Sequence, residues 1–361
     1  SWLQQLIMRF YTPPPRMMES GIAGVSTGPL TWTPSHLFLY LHAGLDTIPD
    51  ADSSDPSLPR PAREYRSEAL ERGWSSPTPA RGHPPRGRIT SGCTPLRRWP
   101  SPQIVEKALW PKLRMITAVD FRLSTTGMKA DLLLPAASYY EKLGIKYAVA
   151  LAPYVVVGEQ AVAPLGEAKS EWEIFSLLAK RLQERAIERG IGGGLSEIYD
   201  QFSMDGTYGP KDEAKVVDRI LQTSTVTGGV GWEEARKAGA IPAASAGGWG
   251  ISSGIGSEVE PGGSLTPSRI HVEEKHAWPT LTGRQQFYLD HPWFFEADEV
   301  LPRFRPLPRP GGEHPILVSS AHNRWSIHAI WRSHPELLRL QRGEPVMWIS
   351  VEDAAARGIR D

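Results

Sequence analysis

The sequence has a single cysteine, Cys93, and that scarcity excludes an internal disulfide, a zinc knuckle or an iron–sulfur cluster built from its own thiols. Beside "TPLRR" such a thiol is either a nucleophile or an inert, partly buried side chain. Charge of one sign is lacking too. Forty basic residues balance 40 acidic ones, so no global field steers the chain toward nucleic acid or a membrane surface. No apolar run approaches the ~18 residues of a membrane span. The start, "SWLQQLIMRFYTPPP", has neither an initiator Met nor a targeting signal, and the end, "AAARGIRD", follows directly on a short helix. Both ends read as cut from a larger polypeptide.

What is present divides the chain. Residues 30–45, "LTWTPSHLFLYLHAGL", read as a short buried helix or strand with Thr33 or Ser35 as its cap. Residues 46–100 are rich in Pro, Arg, Ser and Asp and read as a long loop with little regular structure. Ordinary α/β sequence follows: "PSPQIVEKALW" as helix, "LRMITAVD" and "DLLLPAASYY" as strands, and "YAVALAPYVVVGEQAVAP" as a run of strand formers. In "KSEWEIFSLLAKRLQERAIERG" Ser170 and Glu173 make a capping box, Trp172, Phe175, Leu178, Ala179 and Leu182 make the apolar face, and Gly190 makes the stop. Strand, helix and strand in alternation imply an α/β fold with a mostly parallel, Rossmann-like sheet.

The glycines of residues 224–264 fit neither a strand–GxGxxG–helix context nor a GxxxxGK[ST] loop, and read as a flexible insertion. Farther on, "PILVSS" and "PVMWIS" read as strands and "SVEDAAARG" as a helix capped by Ser350 and Asp353. Four units result. Residues 1–100 are a partial α/β domain with a Pro/Arg-rich irregular segment, and 101–223 a Rossmann-like domain. Residues 224–311 are a Gly/Pro-rich insertion and connection, and 312–361 the incomplete start of a C-terminal domain.

Two constellations carry chemistry. In "SSAHNRWSIHAIWRSHP" three histidines, His322, His328 and His334, stand six apart. Six residues turn a helix by about 600°, so the rings do not converge on a metal. No lysine-rich patch accompanies the aromatic and Arg residues, which argues against nucleic acid. Two readings stay open. One is a nucleotide-like anion held by Ser319, Ser320 and Arg324, with His322 and His328 as donors and Trp325 over a heterocycle. The other is a domain seam packed with Trp and satisfied His. The second constellation is "ITAVDFRLSTTGMKADLLLPAASYYEK". Asp120 at a strand's carboxyl end can accept from an amino-purine edge or a ribose, and Ser124 and Thr125 suit a phosphate. Equally, Asp120 can be a loop-capping carboxylate, and Glu141 with Lys142 a solvated pair.

Taken together, "GCTPLRRWP", "VDFRLSTTGMKADLLLPAASYYEKLGIKY", "AVAPLGEAKSEWEIF", "LTGRQQFYLDHPWFFE" and "SSAHNRWSIHAIWRSHPELLRLQRGEPVMWISVEDAAARGI" resemble the catalytic subunits of the molybdopterin oxidoreductases, the dimethyl sulfoxide reductase superfamily. The branch is that of the dimethylsulfide, ethylbenzene, selenate, chlorate and respiratory nitrate enzymes. The resemblance implies an enzyme with molybdenum on a bis-molybdopterin guanine dinucleotide, held by α/β domains and a C-terminal double-psi β-barrel-like domain of which only the start is here. It implies that Asp120 holds a guanine end, with Lys142 and Glu171 in the same region, and that Gly92 and Thr94 lie on a cofactor loop. It also implies that Ser319, Ser320, His322, Arg324, Trp325, Ser326 and His328 wrap pterin and pyrophosphate.

The activity implied is two-electron oxygen-atom transfer or hydroxylation of a small-molecule substrate, as in anaerobic respiration. Electrons would leave through an iron–sulfur partner subunit and possibly a haem b subunit. The location implied is periplasmic, or else the cytoplasmic face of the inner membrane, with no membrane span of its own. The molybdenum ligand and the 4Fe-4S cysteines fall outside this chain, so no catalytic residue is named and the isolated fragment is expected to be inactive. Three departures stand out: "GCTP" replaces the family's GxNP, Glu171 replaces the commoner Asp, and residues 46–88 fit the family poorly. A non-catalytic scaffold relative, an inactive truncated copy and an unrelated nucleotide-binding protein are the alternatives.

Overall fold

The computed structural model describes residues 35–47, 58–74, 79–80, 82–147, 154–223, 227–242, 269–278, 282–304, 315–319, 324, 334–340 and 346–360. Helix α1 (Ser35–His42) opens the described chain and α2 (Ala62–Glu71) follows. Strand β1 (Gly87–Ser91) leads into the short helix α3 (Pro95–Arg98) and then α4 (Pro102–Leu109). Both of these helices have proline in the first turn, where its missing N–H costs nothing. On α4, Val105 and Leu109 face α1 and are wholly buried with Leu39, Ala43 and Leu45. Gly44 permits that approach. Its φ is +80°, and a Cβ there would sit 2.6 Å from that of Ala108.

Strand β2 (Met115–Asp120), helix α5 (Thr125–Met128) and strand β3 (Leu132–Pro135) complete a three-stranded parallel sheet in the order β1-β2-β3. Its register runs from Gly87↔Met115 to Ser91↔Val119 on one side and from Thr117↔Leu132 to Asp120↔Pro135 on the other. The central strand is buried on both faces, and all four residues from Ile116 to Val119, Thr117 included, lie inside.

A second, antiparallel sheet has the order β4 (Gly144–Tyr147), β5 (Tyr154–Gly158), β6 (Ala240–Pro242). Here β5 alternates, with Val155 and Val157 buried and Tyr154 and Val156 facing outward. The inner face packs on helices α8 (Glu213–Thr223) and α9 (Trp232–Ala238) through Val217, Leu221, Trp232, Ala235 and Ile241. Between β5 and α8 run the long helix α6 (Glu171–Glu188) and the short α7 (Ile198–Ser203). Helix α6 begins as its sequence dictates, with Ser170 Oγ accepting from the Glu173 N–H at 3.2 Å, and Gly190 closes it at φ +65°. Its buried stripe is Ile174, Ser176, Ala179 and Ala186; Leu182, expected on that face, is 39% exposed.

Four further expectations are corrected. Residues 46–100 are not one long loop, since α2, β1 and α3 lie there. Strand β1 escapes an apolar reading because its inward face carries Arg88 and Thr90 while Ile89 is half exposed. The Arg88 guanidinium lies 4.4 Å over the Trp99 ring, its Nε–H donates to Thr90 Oγ1 at 3.1 Å, and burial pulls its pKa down. The mostly parallel expectation misses the β4–β6 sheet. Part of the glycine-rich stretch is regular too: Gly231 and Gly239 are the two caps of α9, and β6 follows. Residues 243–268 lie outside the described residues.

Last, "PILVSS" and "PVMWIS" form no strand over 315–319 and 346–350, where Val318 and Trp348 are more than 80% exposed. Strand formers need a ladder partner, and none is present among the described residues. The helix Val351–Ala356 is present, with Ser350 Oγ accepting from the Asp353 N–H at 3.0 Å.

Beyond β3, the Glu141 carboxylate accepts from the N–H groups of Ser138 at 2.7 Å and Leu165 at 3.1 Å, binding two loops together. The Ser138 N–H above all, with that of Leu165, holds its pKa below the usual value. The ionised form is therefore favoured by folding, and its contribution is present above about pH 4.5 and lost as the pH falls below that. Glu141→Gln should lower stability at pH 7, and the gap to the parent should close on acidification, as followed by urea melts from pH 7 to pH 3. In the second core, Leu221→Ala should cost about 2–5 kcal/mol in the same assay, because the wholly buried side chain leaves a cavity.

Candidate functional site

Parallel strands end together, so Ser91, Asp120 and Pro135 lie along one edge of the sheet. Three loops leave that edge. The first turns at Gly92, whose φ is +60° and whose missing Cβ would meet nothing within 4 Å. Thr94 follows at the N-cap of α3, with its carbonyl accepting from the Arg97 and Arg98 N–H groups and its side chain making no cap bond. The second loop leads to Ser124, whose Oγ caps α5 by accepting from the Gly127 N–H at 3.2 Å, and to the exposed Thr125. A bond from the Leu96 N–H to the buried Thr126 Oγ1, at 3.3 Å, ties these two loops.

The third loop starts at Ala136, which bridges to Lys169 as a one-residue continuation of the sheet. The Lys169 N–H donates to Pro135 O and the Ala137 N–H to Lys169 O, so the start of α6 is delivered beside the end of β3. Lys142, on this loop, forms an ion pair with Glu171 in the first turn of α6. That helix end also favours negative charge through its dipole, which suits Glu171 and Glu173. Glu141 and Lys142 are thus not a pair with each other. Glu141 accepts from backbone N–H groups, and Lys142 pairs with Glu171.

Asp120 is different. Its carbonyl accepts from the Ala136 N–H at 3.1 Å, yet among the described residues nothing donates to its half-buried carboxylate. A partly exposed carboxylate in that position can accept from solvent or from a ligand. Next to it in sequence is the exposed Phe121, whose ring centroid lies 6.4 Å from that of the exposed Tyr139. The edge therefore combines one open carboxylate, an ammonium held by one carboxylate, two hydroxyl-bearing loops and apolar faces. Such a surface can take a ligand with an N–H-rich edge, an aromatic ring and an anionic part.

Gly92, Thr94, Asp120, Ser124, Thr125, Lys142 and Glu171 are thus gathered on one side of the parallel sheet. The second constellation is not described in the same way. Ser319 and Arg324 are exposed, and Ser320, His322, Trp325, Ser326 and His328 lie outside the described residues. Cys93 is half-buried in the first loop. Among the described residues no cluster of His, Cys, Asp and Glu is arranged to hold a metal ion. Sequence reasoning missed Lys169, which bridges to Ala136 at the end of β3 and delivers the start of α6 there. Only the tertiary fold reveals that proximity.

Residues 91–181, from the end of β1 to the middle of α6, match the family model described as Molybdopterin oxidoreductase. All three loops of the edge fall within that stretch. The respiratory nitrate reductase subunit alpha of Haloferax mediterranei is 33% identical, over 93% of this chain and 35% of that protein. The dimethylsulfide dehydrogenase subunit alpha of Rhodovulum sulfidophilum is 32% identical, over 83% and 32%. The perchlorate reductase subunit alpha of Dechloromonas aromatica is 30% identical, over 90% and 34%. Among solved structures, acetylene hydratase from Pelobacter acetylenicus aligns with all of this chain and 38% of that one at a TM-score of 0.54. At 16% identity that likeness is one of fold. The chain spans about a third of the length of these curated relatives. By the matched stretch and by these relatives, the chain belongs to the molybdopterin oxidoreductase family.

Proposed function

We propose that this chain forms one wall of a bis-molybdopterin guanine dinucleotide site in the catalytic subunit of a molybdenum-dependent oxidoreductase. The observation that carries the reading is the Asp120 carboxylate, left without a donor among the described residues at the carboxyl edge of a parallel sheet inside the family-matched stretch. Guanine presents two N–H donors on one edge, and a carboxylate accepts both at once. Lys142 has donors to spare for a ring carbonyl or a phosphate, and Gly92 leaves room for backbone to approach an anion. The residues present fit the group. When bound, the cofactor supplies the two-electron chemistry at molybdenum, and these residues only hold and orient its nucleotide end.

Other parts of the reading extend past the described edge. Residues 101–223 serve as the dinucleotide-binding unit, after the partial domain of 1–100. The connection of 224–311 leads to 312–361, the first part of a double-psi barrel-like domain. There Ser319, Ser320, His322, Arg324, Trp325, Ser326 and His328 would contact pterin and pyrophosphate. The reaction is oxygen-atom transfer or hydroxylation of a small molecule, with electrons passed to an iron–sulfur subunit and on to a haem b subunit. The named relatives are alpha subunits, which supports an assembly of this kind. No described helix is long and apolar enough to cross a membrane. A periplasmic site is the reading favoured for the assembly.

Two measurements test this. In chemical-shift titrations the chain should prefer GDP over ADP by about tenfold, since adenine lacks the paired donors, and Asp120→Asn should abolish the preference. Equal binding of the two nucleotides would overturn the assignment of Asp120. In a cofactor-producing host, the longer protein containing this chain should carry about one molybdenum per polypeptide, with His322→Ala and His328→Ala each lowering the content. Molybdenum well below one atom per chain in the parent protein would sink the family activity for this sequence.

A further inference from the structure

The two faces of the parallel sheet are covered unequally. Along β2 the side chains of Ile116 and Ala118 point to one face, and those of Met115, Thr117 and Val119 to the other. The first face is closed. Ile116, Ala118 and the neighbouring Thr90 are buried, and a Cβ at Gly127 of α5 would meet Leu133 Cδ1 at 3.3 Å. The second face is closed at its carboxyl half, where Ile174 of α6 packs with Val119, Leu134 and Ala136. Its amino half carries Met115, Ile89 and Leu132, which are 50%, 52% and 43% exposed. The register sets Ile89, Thr117 and Leu132 side by side across the three strands, with Met115 one step earlier on the same face. Parallel sheets are covered on both sides, so this half-face lacks a cover among the described residues.

We infer that residues 2–10 of the same chain dock on it as an amphipathic helix. Residues 1–34 lie outside the described residues, and their sequence opens "SWLQQLIMRFYTPPP". At about 100° per residue, Trp2, Leu3, Leu6, Ile7 and Phe10 fall within one stripe about 140° wide, with Gln4, Gln5 and Arg9 outside it. Pro13, Pro14 and Pro15 then end the helical pattern. A helix this short is marginal alone in water, and its apolar stripe needs an apolar surface. The attachment point lies near the same end of the sheet. Helix α1, which follows residues 1–34, packs on α4 through Leu39 and Ala43, and Lys112 Nζ donates to His42 O at 2.9 Å just before β2 begins at Met115. Residues 11–34 reach about 80 Å when extended, so distance is no obstacle. A second copy of the chain is the weaker occupant, because three half-exposed side chains offer far less than the ~800 Å² per partner of a stable pair.

The test places photoreactive benzoylphenylalanine in the full chain at Met115 and, in separate preparations, at Ile89 and at the exposed Leu165 beyond the carboxyl edge. Crosslinks formed in dilute solution are mapped by peptide mass spectrometry. Met115 and Ile89 should both link within one chain to the peptide of residues 2–10, and Leu165 should not. Leu6→Asp should lower the Met115 yield about tenfold, because an unpaired charge resists burial on the sheet. Gln5→Asp, outside the stripe, should leave the yield unchanged. Links from both positions to another segment, links between chains, or no link at all overturn the inference. An equal yield from Leu165, or a Met115 yield indifferent to Leu6→Asp, overturns it as well. Met115 and Ile89 lie toward the end of the sheet opposite the nucleotide edge, so the outcome is independent of the site reading.

Discussion

Parallel pairing of β1, β2 and β3 is the constraint on which the rest of the structure depends. Strands that run the same way cannot be joined by a tight turn, so each connection must cross back over the sheet and all three carboxyl ends arrive at one edge. The register is pinned at the opposite end by Asp131, whose N–H donates to Ile116 O at 2.9 Å while its Oδ2 accepts from the Ile116 N–H at 2.7 Å. That exchange extends the ladder by one side chain and fixes β3 against β2. It thereby fixes Asp120 opposite Pro135, and a slip of one residue would carry Asp120 to the other face. Site geometry is in this sense a consequence of pairing at the far end of the strands.

Hydrogen-bond accounting separates the carboxylates of this region by role. Glu141 accepts from two backbone N–H groups, Asp131 from one, and Asp218 from the N–H of Trp232 at 2.7 Å. Each closes a turn that would otherwise leave a donor unmet, at a cost of about 1–3 kcal/mol. Glu171 and Glu173 are matched to lysines at a helix start. Asp120 has none of these duties. Charge alone would not single it out among 40 acidic residues; its place at the carboxyl end of the central parallel strand does.

Much of this was legible in the sequence because local rules act alone there. The Ser170 cap, the Gly190 stop, the apolar run of β2 and the place of Asp120 at its end each follow from a few adjacent residues. Legibility fails where a partner decides. Strand β1 needs β2 beside it, and it buries a guanidinium against Trp99 in place of an apolar side chain. Strands β4 and β6 are short, and each forms only because β5 offers a ladder. On α6 only Ile174 joins the cluster with Val119, Leu134 and Ala136, and Leu182 stays 39% exposed, a choice of face that the helix sequence does not make by itself.

Helix α2 carries the argument furthest. Its sequence, "AREYRSEALE", is polar nearly all round, and a lone ten-residue helix of that kind is marginal in water. Arg66 stacks over the Tyr40 ring of α1 at 3.7 Å, and further support comes from residues more than 200 positions away. Arg60 donates to Glu296 at 2.9 Å and pairs with Glu68, whose carboxylate also accepts from Trp293 Nε1–H at 2.9 Å. Tyr65 and Trp74 pack edge-on against Trp293 at 5.1 and 5.4 Å, and His291 adds a third ring at 5.0 Å from Trp74. Arg60 and Trp293 together keep the Glu68 carboxyl pKa below the usual range. Composition could not forecast order in a stretch so rich in Pro, Arg and Ser, because composition does not record a partner. The segment "LDHPWFFE", which carries part of the family resemblance, is that partner, and it lends structure to the part of the chain that resembles the family least.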